Sequence, residues 1–146
     1  MLEESALPQD PCTSCEIMIY YYDTDAGGVV HNIAYLRHIE EARTKLAQHL
    51  GWSLKEMAQG TFAPVVCRTE IDYIAPARLG DILEVQARLV SLYGAKFEVE
   101  FEIFLKEKLK APIVKCKQTL ACVNLQTMRP VRVPEVWRKK WHHLVR

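Results

Sequence analysis

The sequence predicts an α+β fold in one domain: a curled, antiparallel, five-stranded sheet wrapped around a single long helix. Three observations carry this. Apolar residues recur at helical spacing over one long stretch, residues 32–50. Long β-rich segments separated by short breaks fill the chain after residue 62. One of them, residues 96–106, alternates between apolar and acidic side chains, so the sheet has one buried and one wet face. One helix cannot cover both faces of such a sheet, which must therefore bend around it. At 146 residues the chain can bury one substantial core.

The elements follow in order. Residues 1–15 read as a loose N-terminal extension. Residues 16–22, Glu-Ile-Met-Ile-Tyr-Tyr-Tyr, are β-branched and aromatic and predict the first strand. Tyr35, Ile39, Ala42, Leu46 and Leu50 then fall at steps of three and four, giving one apolar helical face that Gly51 closes. Ser53-Leu54-Lys55-Glu56 has capping-box form and opens a short second helix ending near Gly60. Strands are expected over residues 62–75, 81–93, 96–106 and 113–125. Gly94 makes the middle two an antiparallel hairpin. Residues 16–134 form the domain, and residues 135–146 a basic tail opening with a short helix at Pro134-Glu135-Val136-Trp137. The sheet's edges and remaining apolar surface favour pairing with a second copy, as a homodimer or homotetramer.

Composition excludes several classes. The chain is 49% hydrophobic and 25% charged with a formal net charge of +1, so no global field draws it to nucleic acid or an anionic membrane. No apolar run approaches the roughly 20 residues that span a bilayer. Residues 1–11 lack the basic start and apolar core of a signal peptide, so the expected compartment is the cytoplasm. Five cysteines argue against a disulfide framework. Cys12-Thr13-Ser14-Cys15 has C-x-x-C spacing, but no second ligand pair matches it, and no metal or other cofactor is expected. Neither a Gly-x-Ser-x-Gly elbow nor a phosphate-cradling glycine loop is present.

The richest stretch is Asp23-Thr24-Asp25-Ala26-Gly27-Gly28-Val29-Val30-His31-Asn32, which joins the first strand to the long helix. It sets a carboxylate, Asp25, beside backbone N–H groups at the positive end of the helix dipole. A fixed anion next to fixed donors suits attack on a carbonyl, with the N–H of Gly28 or Val29 as the oxyanion donor. A thioester fits best, because a thiol with pKa near ~8.5 leaves without a strong general acid. The alternative for Asp25 is to cap the helix or hold the turn, and its distance from the helix start, with two glycines between, fits a cap less well. Asp23 is read as structural, pointing the other way. By residue type Asn32 is the natural N-cap. Glu40 and Arg43, three apart, are expected to form an ion pair.

The same stretch, with Tyr35-Leu36-Arg37 and Glu40-Glu41-Ala42-Arg43, resembles the signature of 4-hydroxybenzoyl-CoA-thioesterase-type hotdog proteins, nearest the tol–pal-associated acyl-CoA thioesterases. Ile71-Asp72-Tyr73, Pro76-Ala77 and Gly80-Asp81 resemble that family's second strand and turn, and Arg129-Pro130 with Pro134 its end. The resemblance implies a sheet around a central helix, dimers or tetramers, and metal-free hydrolysis of acyl-CoA. It makes Asp25 the catalytic carboxylate, associates Tyr21 with it, and marks Tyr35 as a substrate contact. It also implies surface cations for the CoA phosphates near a subunit junction, for which Arg88, Lys96, Arg129 and Arg132 are candidates.

The chain departs from that signature at one place. The family's histidine position holds Asn32, and a histidine, His31, stands one residue earlier. Other thioesterase branches place an Asn there, so Asn32 is expected to take the histidine's task. Two alternatives stand beside the hydrolase. Asp25 with His31 superficially resembles a hotdog hydratase or dehydratase, and the missing histidine would suit a non-catalytic acyl-CoA-binding protein.

Overall fold

The computed structural model describes residues 3–146. Five long strands form one antiparallel sheet: β1 (Cys12–Met18), β2 (Phe62–Tyr73), β3 (Ile82–Tyr93), β4 (Lys96–Leu105) and β5 (Val114–Asn124). Their spatial order is β1-β3-β4-β5-β2, and a two-residue strand, β6 (Arg129–Pro130), extends the end of β5. The helices are α1 (Asn32–His49), α2 (Leu54–Gln59) and α3 (Glu135–Lys140). β3, β4 and β5 follow one another as neighbours because short turns join them, the first through Gly94 at φ +60°. β1 and β2 flank α1 in sequence, and they take the two outer edges of the sheet.

The expected alternation holds in β4: Phe97, Val99, Phe101 and Ile103 are buried, whereas Glu100 and Glu102 face solvent. Leu83, Val85, Ala87 and Leu89 of β3 share that core with Ala34, Tyr35, Ile39, Ala42 and Leu46 of α1. Alanine at three of these fully buried positions keeps the spacing between helix and sheet small. Bulges between Val66 and Arg68 and between Leu89 and Ser91 add twist, which helps the sheet curl around α1. Ser53 caps α2, its Oγ accepting the Glu56 N–H at 3.1 Å.

Several boundaries differ from expectation. β1 begins at Cys12 rather than at residue 16, and Cys12 to Met18 pair with Arg88 to Ile82. Three residues apart on a strand, Cys12 and Cys15 project to opposite faces and cannot chelate one ion. The segment before β1 is packed rather than loose. Leu7 is buried, and the Trp141 indole N–H reaches the carbonyls of Pro8 (3.2 Å) and Gln9 (3.3 Å). The basic tail is also anchored. Trp137 and Trp141 turn into the core while Arg138, Lys139 and Lys140 stay at the surface, and the Trp137 indole donates to Leu50 O at 2.9 Å.

The expected Glu40–Arg43 ion pair is marginal, at 4.0 Å. Arg43 instead donates to Gln118 Oε1 at 2.7 Å, and Gln118 Nε2 donates to Thr69 Oγ1 at 3.2 Å. A half-buried guanidinium thus ties α1 to β5 and, through Gln118, to β2, because an exposed carboxylate is the poorer partner.

Candidate active site

β1 ends before the three tyrosines, although their β-propensity suggests otherwise. The Asp23 side chain captures the Tyr20 N–H through Oδ2 at 2.9 Å, and the Asp23 N–H returns to Tyr20 O at 3.0 Å. These two bonds close a 3-10 turn at Tyr21–Asp23. The chain then folds back on itself. Asp25 N donates to Val29 O at 2.9 Å, Gly28 N to Asp25 O at 3.1 Å, and Val30 N to Ala77 O at 2.8 Å. Gly28 sits at φ +76°, a conformation that glycine adopts without strain.

Within this turn the Asp25 carboxylate is held from one side. Its Oδ1 accepts the Gly27 N–H at 2.8 Å and the Val29 N–H at 3.4 Å. Oδ2 has no protein partner among the described residues. Asp25 lines a cleft of about 420 Å³ with Val30, Asn32, Tyr35, Tyr73, Ile74, Ala75 and Pro76. Tyr35 is buried, which pushes its phenol pKa up, and its hydroxyl accepts the Ala77 N–H at 3.2 Å. Tyr73 crosses from β2 and donates to the Asn32 carbonyl at 3.2 Å, with its ring 5.8 Å from that of Tyr35.

His31, not Asn32, is the N-cap of α1, its Nδ1 accepting the Ile33 N–H at 3.1 Å. The bond from His31 N to Asp23 O at 2.7 Å fixes where the helix begins, so chain geometry overrides the cap preference of asparagine. The consequence is chemical: Asn32 becomes the first helical residue, its side chain is freed for the cleft, and the His31 ring is committed. The Asn32 backbone N–H also has no acceptor among the described residues.

Three other expected residues lie as follows in the fold. The N–H groups of Gly28 and Val29, read as oxyanion donors, are engaged within the turn by the Asp25 main chain and side chain. Tyr21 is 82% exposed and absent from the cleft lining, because the 3-10 turn rotates it outward.

Nor does the chain by itself bring the four expected cations to the cleft. Arg88 is paired with Asp10. Lys96 and Arg129 lie opposite Ala121 and Asn124 of β5, whereas the cleft lies at the Val114 end. Seven to ten residues of strand separate them, roughly 23–34 Å. Arg132 follows β6 at that same far end. The cation that the fold places beside the turn is Arg78, bridged through its backbone to Val29. A second groove, on the outer sheet face, is lined by Glu70, Asp72, Glu100, Glu102, Lys115 and Lys117, a solvated ladder of opposite charges. Among the described residues no His, Cys, Asp or Glu cluster is placed to hold a metal.

Sequence reasoning missed His38, a buried imidazole on the core face of α1 whose Nε2 lies 3.3 Å from Asp23 Oδ1. The available signal was its place among Tyr35, Ile39 and Ala42 on an otherwise apolar face.

A sheet curled round one long helix, with the turn before that helix opening on a cleft, is the hotdog arrangement. The 1,4-dihydroxy-2-naphthoyl-CoA thioesterase Slr0204 from Synechocystis superposes with a TM-score of 0.79 at 25% identity, over 91% of this chain and 97% of its own. Residues 20–141 match the Thioesterase-like superfamily, and the chain belongs to it. The acyl-CoA thioesterase YbgC of Haemophilus influenzae is 33% identical over 134 residues, 90% of this chain and 95% of the relative. The acyl-CoA thioester hydrolase YbgC of Escherichia coli is 33% identical over 119 residues, 82% and 87% of the two chains.

Proposed function

We propose that the chain hydrolyses acyl-CoA thioesters to a free acid and CoA, with Asp25 at the reacting centre. The observation that carries this reading is the state of its carboxylate: Oδ1 is anchored by two backbone N–H groups, and Oδ2, on a cleft-lining residue, has no partner among the described residues. A carboxylate fixed in this way needs no reorganisation to take a proton from water or to attack the carbonyl carbon itself. The N–H of Asn32, without an acceptor among the described residues and at the start of an 18-residue helix, is the donor for the oxyanion, in place of Gly28 and Val29. Such a donor is worth about 3 kcal/mol in the transition state. The Asn32 amide orients water or the thioester, and the CoA thiolate departs without a general acid. The acyl-CoA substrate class rests on the YbgC relatives and the Synechocystis enzyme.

The working unit is a homodimer joined along β2. That strand is an edge of 12 residues, exposed over most of its length and carrying Phe62, Val65 and Val66 at the surface. An edge of this kind invites pairing. Antiparallel pairing about a two-fold axis sets the Phe62 end of the second copy beside the Tyr73 end of the first. Arg129 of the partner subunit and Arg132 of the partner subunit then approach the cleft, where they meet the CoA phosphates. The test is incubation with short, long and aromatic acyl-CoAs and detection of free thiol. Thiol release above the uncatalysed rate is expected for at least one class, and none across the panel would overturn the proposal.

A further inference from the structure

Apart from the Asp25 cleft, a cavity of about 380 Å³ is bordered by Tyr20, Tyr22, Asp23, Arg37, His38 and Glu41. Its inner wall is the Asp23–His38 pair, whose residues are 3% and 5% exposed. Asp23 is saturated with contacts that shape the neighbouring turn. Oδ2 accepts the Tyr20 N–H at 2.9 Å, the backbone carbonyl accepts the His31 N–H at 2.7 Å, and Oδ1 faces His38 Nε2 at 3.3 Å. Tyr20 and His31 bracket the segment that carries Asp25, so one residue closes both ends of the catalytic loop.

The other imidazole nitrogen settles which form His38 takes. His38 Nδ1 is buried and has no partner among the described residues. A proton on Nδ1 would be a buried donor without an acceptor and would turn the Nε2 lone pair toward the Asp23 carboxylate, whereas a bare Nδ1 lone pair is tolerable. The proton therefore sits on Nε2 and is donated to Asp23, leaving a neutral imidazole against a buried carboxylate. The His38 ring also stands edge-on to Tyr35, 6.1 Å between centroids, and Tyr35 lines the Asp25 cleft. His38 thus supports the site twice, through the loop and through its wall.

We infer that His38 is a positioning residue for the Asp25 site: its Nε2–H holds the Asp23 carboxylate that closes the loop, and its ring backs Tyr35. The inference rests on the hydrolase reading proposed above. Among the charges that face it, Asp23 and Glu41 favour the imidazolium, while Arg37 opposes it. Glu16 and the Tyr20 and Tyr22 phenols border the same cavity. Burial is the largest influence and lowers the pKa of His38 below its usual 6.5. A depressed imidazole pKa means that the unfolded chain binds the proton first. Protonation keeps the Nε2–H but puts a second, buried N–H without an acceptor on Nδ1, so the neutral form suits the site, and the stability it contributes is complete above about pH 6.5 and is lost as pH falls toward the folded-state value.

The experiment compares His38→Leu, which removes the donor, with His38→Gln, whose amide N–H reaches a similar place and cannot be charged. Turnover of the best acyl-CoA is followed from pH 5 to 8 on variants verified as folded by thermal melting. We expect His38→Leu to lower kcat about tenfold or more with KM changed less than threefold. His38→Gln should restore most of that loss and remove the fall in activity due to the imidazole on the acid side. A wild-type kcat and acid limb in His38→Leu would overturn the inference. A second arm needs no turnover: the Gly27, Gly28 and His31 amide NMR signals should shift together with the His38 titration and stay flat in His38→Gln. If wild type hydrolyses no acyl-CoA, the hydrolase reading fails while this arm still decides the positioning role. Amides that ignore His38 protonation would refute it.

Discussion

Gly27→Ala separates the position of the carboxylate from the stability of the fold. A Cβ at Gly27 would stand 3.2 Å from Asp25 Oδ1, close enough that the carboxylate must give by a few tenths of an ångström. The same oxygen is held by the Gly27 N–H at 2.8 Å, so the group cannot retreat without lengthening the bond that orients it. Gly27 is not in the left-handed region, so alanine meets no backbone strain there. Replacing glycine at such a site restricts the unfolded chain and stabilises by about 0.4–1 kcal/mol. Activity should move the other way. A misplacement of 1 Å costs about 10²-fold in rate, and a few tenths should cost roughly 3- to 10-fold in kcat. Gly28→Ala is the contrast: nothing lies within 4 Å of its Cβ, but φ +76° strains alanine by about 1–2 kcal/mol. Thermal melts and thiol-release kinetics on both variants read the two effects. A Gly27→Ala protein with unchanged kcat would refute the claim that the anchored carboxylate sets the rate.

Asn32→Ala should lower turnover more than His31→Ala, because the His31 ring is spent on the helix cap while the Asn32 side chain is free for the cleft; thiol-release kinetics with the opposite ranking would return the assisting role to His31. Sedimentation should give a dimer for the wild type and a monomer for Val66→Lys, which places a charge on the β2 edge; an active wild-type monomer at micromolar concentration would contradict the proposed assembly. Trp141→Ala should cost about 3–5 kcal/mol in urea denaturation, because a fully buried indole is lost together with its bonds to Pro8 and Gln9. A cost under about 1 kcal/mol would mean that the N-terminal segment does not depend on it.

The helix and the last four strands were legible because their signals are local. Tyr35, Ile39, Ala42 and Leu46 bury one helical face, and the β4 alternation needs no partner to be read. Boundaries set by single hydrogen bonds were not. Three tyrosines have strand propensity, but the Asp23 carboxylate takes the Tyr20 N–H and ends the strand early. The shift of the cap from Asn32 to His31 follows from the bond between His31 N and Asp23 O, which no residue preference encodes. The packing of Leu7 and Trp141 in one core joins the two ends of the chain, a contact of long sequence separation with no local trace. In the site, Asp25, Asn32 and Tyr35 stood out in the sequence, and the fold brings all three to one cleft. The engagement of the Gly28 and Val29 N–H groups was hidden, since it depends on how the Asp25 side chain folds back on its own turn.

The most direct test of the account is Asp25→Asn. The amide oxygen can still accept from Gly27 and Val29, so the turn and the melting temperature should be kept, while the free carboxylate oxygen becomes an N–H₂ donor. Neither proton abstraction nor nucleophilic attack is then available. Thiol release from the best acyl-CoA should fall at least ~10²-fold. Near-wild-type turnover by a pure, folded Asp25→Asn protein would show that the chemistry resides elsewhere.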